Sequence, residues 1–265
     1  MYPYEIIFGM TLYDIFLAIG VVSALVIARI FADYDKISAK LFNFILITGC
    51  VAIALGIFSA VFTQAIYNWL DGEPFAITAT TGATFLGGLV GGVVVYLLGY
   101  FLVGHFMFPD KENLKYFPRL LDFAAVCITC AHGFGRIGCL MAGCCYGNET
   151  EAWYGVYHIA LDAKVVPVQL FESIFLFALC ALLAVLAYKH IPGTMAMYMS
   201  LYGAWRIFAE TLRADERGST VVDFLTPSQL TCAILLIMSV FVFLYTFVMY
   251  KRNKNAEVQN EDKEQ

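Results

Sequence analysis

The stretch from His132 to Gly147, HGFGRIGCLMAGCCYG, carries charged and thiol side chains inside a long apolar segment. Arg136 in the hydrocarbon would cost about 2.5–3.5 kcal/mol on insertion scales, so its charge needs a partner, a cavity or a ligand. The glycines of the stretch, Gly143 among them, allow a backbone or a substrate to come close. These residues favour a polar site within a membrane protein over the alternative, a packed helix end whose arginine reaches the head groups.

A second charged group lies further along the chain at helical spacing. Arg206, Glu210 and Arg213 are four and three residues apart, so they share one face of a helix. Glu210 can simply form a buried ion pair with Arg206, as intramembrane charges usually do. Arg206 and Arg136, from different helices, can also direct their planar guanidinium groups at one phosphate. In a membrane, that phosphate would belong to a phospholipid head group.

The thiols around Arg136 raise the question of a metal or a nucleophile. His132, Cys139, Cys144 and Cys145 follow the order H-x6-C-x4-CC, which matches none of the usual zinc spacings. We therefore predict no metal and no other cofactor. A nearby cation favours the reactive thiolate form of cysteine. Buried, unreactive thiols are the other interpretation, and the sequence leaves both open.

The glycine-rich stretch 82–92, GATFLGGLVGG, also has two interpretations. Gly87 and Gly88 can admit a lipid close to the backbone. They can equally form a small-residue face on which another helix packs.

The elements that position these residues are predicted to be membrane-spanning helices. The chain is 61% hydrophobic and 14% charged, with a mean hydropathy of +0.75, which is typical of an integral membrane protein and argues against nucleic-acid binding. Apolar windows of about 20 residues predict an all-α, polytopic bundle of about seven spanning helices within residues 1–250. We place them at 12–31, 42–69, 81–106, 120–144, 168–188, 193–212 and 228–250, followed by a charged tail, 251–265, that we expect to be disordered.

Basic residues in alternate loops indicate the orientation of this bundle. Lysine and arginine follow the first, third, fifth and seventh predicted helices, which places the N-terminus outside and the C-terminus in the cytoplasm. The polar intramembrane groups then fall at the outer ends of the helices, from Tyr13 on the first to Gln169 on the fifth and Arg206 on the sixth. We therefore predict one polar cavity that opens to the outside.

Five motifs follow one another along most of the chain. GRIGCLMAGCCYG at 135–147 resembles G-R-x-G-N-F-x-N-G-E-x-x-G, and the 82–91 stretch resembles F-H-G-G-L-x-G. PVQLFES at 167–173 resembles P-x-Q-L-Y-E, YGAWRIFAETLR at 202–213 resembles Y-x-x-x-R-F-x-x-E-x-x-R, and PSQ at 227–229 resembles S-x-x-Q or S-x-Q. These are the motifs of the prolipoprotein diacylglyceryl transferase family, which the chain resembles.

The resemblance implies a transferase of the bacterial plasma membrane. It would move the diacylglyceryl group of phosphatidylglycerol, or of another anionic phospholipid, to the lipobox cysteine of a prolipoprotein on the outer face of the membrane. Arg136 and Arg206 would hold the phosphate and stabilise its charge, and Glu210 and Tyr202 would orient Arg206. The residues expected to shape the cavity or bind substrate are Tyr13, Gly87, Gly88, Cys139, Gly143, Cys144, Gly147, Gln169, Tyr202 and Arg213.

Three of the departures from the family's motifs bear on the chemistry. The histidine of F-H-G-G is Leu86 here, the asparagine after G-R-x-G is Cys139, and the glutamate of N-G-E is Cys144. Leucine cannot accept the proton of an incoming thiol, for which histidine is the natural base. Three explanations stay open. His132 accepts the proton, or Cys144 and Cys145 take over as acid, base or nucleophile, or the chain is a diverged relative that uses another acceptor or only binds phospholipid.

Overall fold

The computed structural model describes residues 1–7, 9–78, 80–213 and 227–264. The helices are α1 (Leu12–Tyr34), α2 (Ala39–Leu70), α3 (Phe85–Leu98), α4 (Gly104–Met107), α5 (Glu112–Ala142), α6 (Val168–Tyr188), α7 (Thr194–Glu210) and α8 (Pro227–Glu264). A π-helical turn, Gly99–Val103, joins α3 to α4. Among the described residues, one antiparallel strand pair, β1 (Glu5–Ile7) with β2 (Met10–Thr11), precedes α1, and another, β3 (Val156–His158) with β4 (Ala163–Val165), lies between α5 and α6.

Six helices of the described chain are long and apolar enough to cross a membrane. They are α1, α2, the continuous helix Phe85–Met107, α5, α6 and the segment Ser228–Arg252 of α8. The remaining long helix, α7, has 17 residues, which at about 1.5 Å per residue falls just short of the hydrocarbon thickness. The prediction of an all-α, polytopic membrane bundle is confirmed, and the protein is a multi-pass membrane protein. Its orientation in the membrane stays a prediction.

The bounds of α5 and α8 differ most from those predicted. The sequence predicts a helix at 120–144, but α5 begins at Glu112 and ends at Ala142, because Gly143 adopts a φ of 75° that stops the helix. The sequence also predicts a disordered tail from residue 251, whereas α8 continues to Glu264. Gln265 lies outside the described residues. That this tail is a separate cytoplasmic segment stays a prediction.

The chain forms two compact units, of which the second is Ala32–Phe117. In this unit α3 packs closely on α2 through small residues. A Cβ on Gly56 would lie 3.1 Å from the carbonyl oxygen of Gly88, and one on Gly87 would clash with the side chain of Thr63. Ser59 Oγ donates to the carbonyl of Gly87 at 2.9 Å. The glycine-rich stretch is therefore a helix-packing face, one of the two interpretations that the sequence left open.

The first unit, Met1–Phe31 with Pro118–Gln265, contains α6, α7, α8 and most of α1 and α5. Here too, small residues allow the helices to approach. The ring of Phe177 in α6 lies against Gly133 of α5, and Ser173 Oγ donates to the Gly133 carbonyl at 3.0 Å. In the same unit, Gly203 of α7 packs against Leu236 of α8. These contacts bring the helices close enough for their polar side chains to meet.

One end of the first unit, called here the polar end, collects the start of α1, the end of α5, the start of α6 and the end of α7. Tyr13 in the first turn of α1 packs on Gly138 near the end of α5. A β-bridge pairs Gly147, which follows α5, with Arg213, which follows α7. The N–H of Gly147 also donates to the carbonyl of Val166, just before α6, at 2.9 Å. Side chains from four helices therefore meet at this end.

Candidate active site

Arg136 and Arg206 reach the polar end from α5 and α7, and both meet the same carboxylate. Nε of Arg136 lies 3.1 Å from Oε2 of Glu172, near the start of α6, and Nη1 of Arg206 lies 4.0 Å from the same oxygen. Nη2 of Arg206 also lies 3.1 Å from Oε2 of Glu210, one turn further along α7. These four side chains, from three helices, are called here the arginine cluster.

The arginine cluster is almost fully buried. The exposed fraction of the side chain is 1% for Glu172, 5% for Glu210, 6% for Arg206 and 15% for Arg136. Taking a charge out of water costs several kcal/mol unless the charge is paired and hydrogen-bonded. Two positive and two negative groups cancel here, which makes the burial tolerable. Arg136 is the member most open to an entering molecule.

The charges of the arginine cluster are paired, but several of its polar atoms lack hydrogen bonds. Among the described residues, Nε of Arg136, Nη1 of Arg206 and Oε2 of Glu172 are buried without a hydrogen-bond partner. Nε of Arg136 lies 3.1 Å from Oε2 of Glu172, but its N–H does not point at that oxygen as a hydrogen bond requires, and Nη1 of Arg206, at 4.0 Å, is too far from it. Buried polar atoms are normally hydrogen-bonded, so open donors on two converging arginines indicate groups held ready for an anionic ligand.

Tyr202 and Ser228 support the cluster from α7 and α8. The hydroxyl of Tyr202 donates to Oε1 of Glu172 at 3.0 Å, and Nη2 of Arg206 donates to Ser228 Oγ at 3.3 Å. The family resemblance implies that Tyr202 orients Arg206. In the structure its hydroxyl instead holds the carboxylate that lies between the two arginines, so it acts on them through Glu172.

Gln169 and Gly147 hold the segment after α5 in place, the first by a hydrogen bond and the second by close packing. The side-chain amide of Gln169 donates to the carbonyl of Cys144, while its own Oε1 is buried without a partner among the described residues. A Cβ on Gly147 would lie 2.6 Å from the carbonyl oxygen of Leu212, so only glycine fits where the two loops meet. Both residues shape the wall of the polar end.

Three thiols come together where α5 ends. The N–H of Gly143 donates to the carbonyl of Leu140 at 3.3 Å, and the N–H of Cys144 donates to that of Cys139 at 3.2 Å. This is a Schellman motif, with the left-handed glycine at its C′ position. It folds the chain back over the last helical turn, so that the sulfur atoms of Cys139, Cys144 and Cys145 all lie within 4.8 Å of one another.

The environment of these thiols differs from one to the next. Cys144 is exposed, whereas Cys139 and Cys145 are half-buried. Hydrogen bonds from the thiols of Cys139 and Cys144 lower the pKa of Cys145, and the guanidinium of Arg213 lowers it further by charge and hydrogen bonding. Cys145 also has a φ of 65°, a left-handed conformation that a residue with a side chain rarely adopts. The local backbone thus holds an unfavourable conformation where the thiols meet.

The other predicted site residues lie at two places. His132, one turn before Arg136, packs edge-on against Tyr202 with ring centroids 4.8 Å apart. Tyr13 packs on Gly138, as described above, and is exposed at the polar end. Gly87, Gly88 and Leu86 belong to the second unit, where the two glycines pack on α2.

Glu172 is the residue of the cluster that the sequence analysis did not include among the site residues. It is the glutamate of PVQLFES, three residues after Gln169. The signal was available, because an acidic residue within an apolar helix needs a partner. The sequence predicts a ligand as the anion of Arg136, whereas in the structure a carboxylate from a third helix lies beside it.

Comparison with known proteins identifies the family. A family model described as prolipoprotein diacylglyceryl transferase matches residues 4–245. The phosphatidylglycerol–prolipoprotein diacylglyceryl transferase 2 of Clostridium perfringens is 32% identical over 262 residues, covering 94% of this chain and 93% of the relative. The transferase of the same name from Clostridium tetani is 29% identical (89% and 94% covered), and that of Dehalococcoides mccartyi is 30% identical (88% of each). The chain therefore belongs to the prolipoprotein diacylglyceryl transferase family.

Proposed function

We propose that this protein transfers the diacylglyceryl group of phosphatidylglycerol to the lipobox cysteine of a prolipoprotein, at the outer face of a bacterial plasma membrane. Family membership and the names of the relatives support the reaction and its substrates. One observation carries the assignment to this site. Arg136 of α5 and Arg206 of α7 converge on the buried carboxylate of Glu172, and one guanidinium nitrogen of each arginine has no hydrogen-bond partner among the described residues. A phosphodiester is an anion of suitable charge and geometry for paired guanidinium groups.

In this proposal, the arginine cluster binds the phosphate and stabilises the charge that develops on it. The sulfur of the acceptor cysteine forms a bond to the glycerol carbon as the bond from that carbon to the phosphate oxygen breaks. Glycerol phosphate leaves with the bonding electrons, and the thiol proton goes to a base. Donors fixed in a buried site stabilise such a leaving charge more than water does. Glu172 keeps the two arginines apart and oriented until the phosphate enters.

The test uses the full chain in nanodiscs with labelled phosphatidylglycerol and a lipobox peptide. The unsubstituted chain should form peptide thioether and glycerol phosphate in equal amounts. Arg136→Ala and Arg206→Ala should each lower kcat about 10²–10³-fold, as the loss of one charge-stabilising donor does elsewhere. Arg29→Ala, on the exposed surface of α1, serves as the control and should retain its activity. Unchanged turnover in both cluster variants would contradict the proposal.

A second candidate is a transferase of this family that uses a different acceptor. Leu86, Cys139 and Cys144, at positions where the family's motifs carry histidine, asparagine and glutamate, favour it. In the same assay, phosphatidylglycerol would be consumed while the lipobox peptide stayed unmodified. Bound phospholipid without release of glycerol phosphate would instead indicate a phospholipid-binding protein. Complementation of a transferase-deficient bacterium separates both from the main proposal.

A further inference from the structure

We propose that Cys139, Cys144 and Cys145 form a three-thiolate zinc site whose open fourth position takes the thiol of the acceptor. The second half of this inference rests on the proposed function, and the first half does not. The zinc spacings known from sequence gave no sign of such a site, because the three cysteines are brought together by the turn that ends α5. They are not spaced along a regular element.

The geometry of the three sulfurs fits a single ion. Zinc binds thiolate sulfur at about 2.3 Å, which places the sulfurs of a tetrahedral site about 3.8 Å apart. In the structure all three lie within 4.8 Å of one another, so shifts of about an ångström or less complete the site. Two sulfurs would suffice for a disulfide, but adjacent cysteines such as Cys144 and Cys145 are poorly placed to form one with each other. Three converging thiols are the donor set that soft cations select.

The backbone around the thiols is held in place. The Schellman motif fixes the reversal after Ala142, and Gln169 holds the carbonyl of Cys144 from α6. The left-handed conformation of Cys145 costs free energy that an ordinary loop would avoid. A metal site that retains such a conformation gains preorganised ligands in return.

Charge and exposure indicate an open fourth position. Three thiolates and one Zn²⁺ carry a net charge of −1, and Arg213, hydrogen-bonded to Cys145, lies beside them to offset it. Cys144 is exposed, so one face of the ion would remain accessible. Zinc sites with three protein ligands and one open position are the catalytic kind. The chemical class that fits this position is a thiol.

A zinc-bound acceptor would replace the base that Leu86 cannot supply. A thiol that coordinates zinc is deprotonated outright, and its proton passes to water at the open face. The zinc-bound sulfur then forms its bond to the glycerol carbon, and the phosphate oxygen leaves with the electrons of the broken C–O bond. No oxidant or reductant takes part. The product sulfur is a neutral thioether, which no longer binds as an anion and can leave the ion.

Metal binding is tested first, without reference to activity. The full chain, reduced and freed of metal by a chelator, is titrated with Zn²⁺ and separately with Cd²⁺, whose absorption reports bound sulfur. We expect one ion per chain with three sulfur ligands, and loss of that binding in Cys139→Ser, Cys144→Ser and Cys145→Ser. Cys50→Ser, an exposed cysteine of α2, is the matched control and should bind one ion. Cys144 is itself exposed, so its variant should fold. Absence of stoichiometric binding to the reduced protein would overturn the site, and so would a disulfide among the three cysteines in the protein as purified.

The open position is tested with the acceptor. Addition of a lipobox peptide to the Cd²⁺-loaded chain should add a fourth sulfur to the absorption signal, and a peptide with serine in place of the cysteine should not. Chelation should abolish thioether formation, and Zn²⁺ should restore it. If the chain binds metal but a chelator does not reduce diacylglyceryl transfer, the proposal that zinc activates the acceptor thiol is wrong. A chain that binds metal and peptide thiol but never transfers lipid supports the site and contradicts the proposed function, so the two failures are distinguishable.

Discussion

The two ends of the first unit each bury an arginine–carboxylate pair, and they use it differently. Away from the polar end, Arg119 of α5 lies 3.5 Å from Asp122 and donates to the carbonyl of Ala187 at 2.9 Å, while Asp122 accepts from the N–H of Thr194 at 3.2 Å. The cation thus meets the C-terminus of α6 and the anion meets the N-terminus of α7. These are the positions where the dipoles of the two helices favour them.

The two arginines of the cluster are paired with carboxylates instead of with helix ends. Arg136 and Arg206 share one oxygen of Glu172, and that oxygen and two guanidinium nitrogens lack hydrogen bonds among the described residues. The same residue types therefore have a structural role where backbone groups complete their hydrogen bonding. Where buried guanidinium N–H groups have no hydrogen-bond partner, the same residue types resemble a binding site. Burial alone does not distinguish a structural ion pair from a binding site. The distinction comes from whether the buried donors and acceptors have hydrogen-bond partners.

The largest expected difference between the two ends is in catalysis. Replacing arginine by lysine keeps the charge but removes the planar pair of donors. Arg136→Lys and Arg206→Lys should lower kcat about 10²-fold, whereas Arg119→Lys should leave kcat within about twofold. Initial rates of thioether formation, corrected for folded protein, measure this. Equal losses at both ends would mean that the cluster, too, is only structural.

The next difference is in how stability responds to anionic lipid. Glu172→Gln leaves two buried arginines with one carboxylate and should lower the free energy of unfolding by about 3–5 kcal/mol. Asp122→Asn should lower it by about 2 kcal/mol, because hydrogen bonds to the amide survive in part. Phosphatidylglycerol at a hundred times its Kd should raise the free energy of unfolding of Glu172→Gln by about 2.7 kcal/mol, because its phosphate replaces the missing negative charge.

The same lipid should not restore Asp122→Asn beyond its effect on the unsubstituted chain. Denaturant unfolding in mixed micelles, with and without phosphatidylglycerol and with a zwitterionic lipid as reference, measures both variants. If the lipid stabilised Glu172→Gln no more than it stabilised the unsubstituted chain, its phosphate would not replace the missing charge, and the prediction would be wrong.

The smallest expected effect comes from the hydroxyl that holds Glu172. Tyr202→Phe removes one hydrogen bond to a charged group, worth about 1.5 kcal/mol, and should lower kcat about tenfold if that hydroxyl keeps the arginines in position. Tyr198→Phe is the matched control, because Tyr198 stacks on Tyr202 in the same helix with ring centroids 5.8 Å apart. Its kcat should stay within about twofold. Comparable losses in the two variants would assign the effect to ring packing.

The sequence by itself determined the membrane bundle and the charged members of the site on α5 and α7. Long apolar windows specify spanning helices because hydrocarbon leaves the backbone no other way to satisfy its hydrogen bonds. Arg136, Arg206 and Glu210 were recognisable because a charge in an apolar helix is costly, and because i, i+4 spacing places two of them on one face. Neither argument needs knowledge of how the helices pack.

Only the tertiary structure decided what those charges meet. That Glu172 of α6 lies between the two arginines, and that Tyr202 holds Glu172, depends on the relative rotation of three helices. The meeting of Cys139 with Cys144 and Cys145 depends on a turn that reverses the chain at Gly143. Such contacts join residues that are distant in sequence or that a turn brings together. Hydrophobic periodicity specifies which face of a helix is apolar, but it does not specify which neighbouring helix that face contacts.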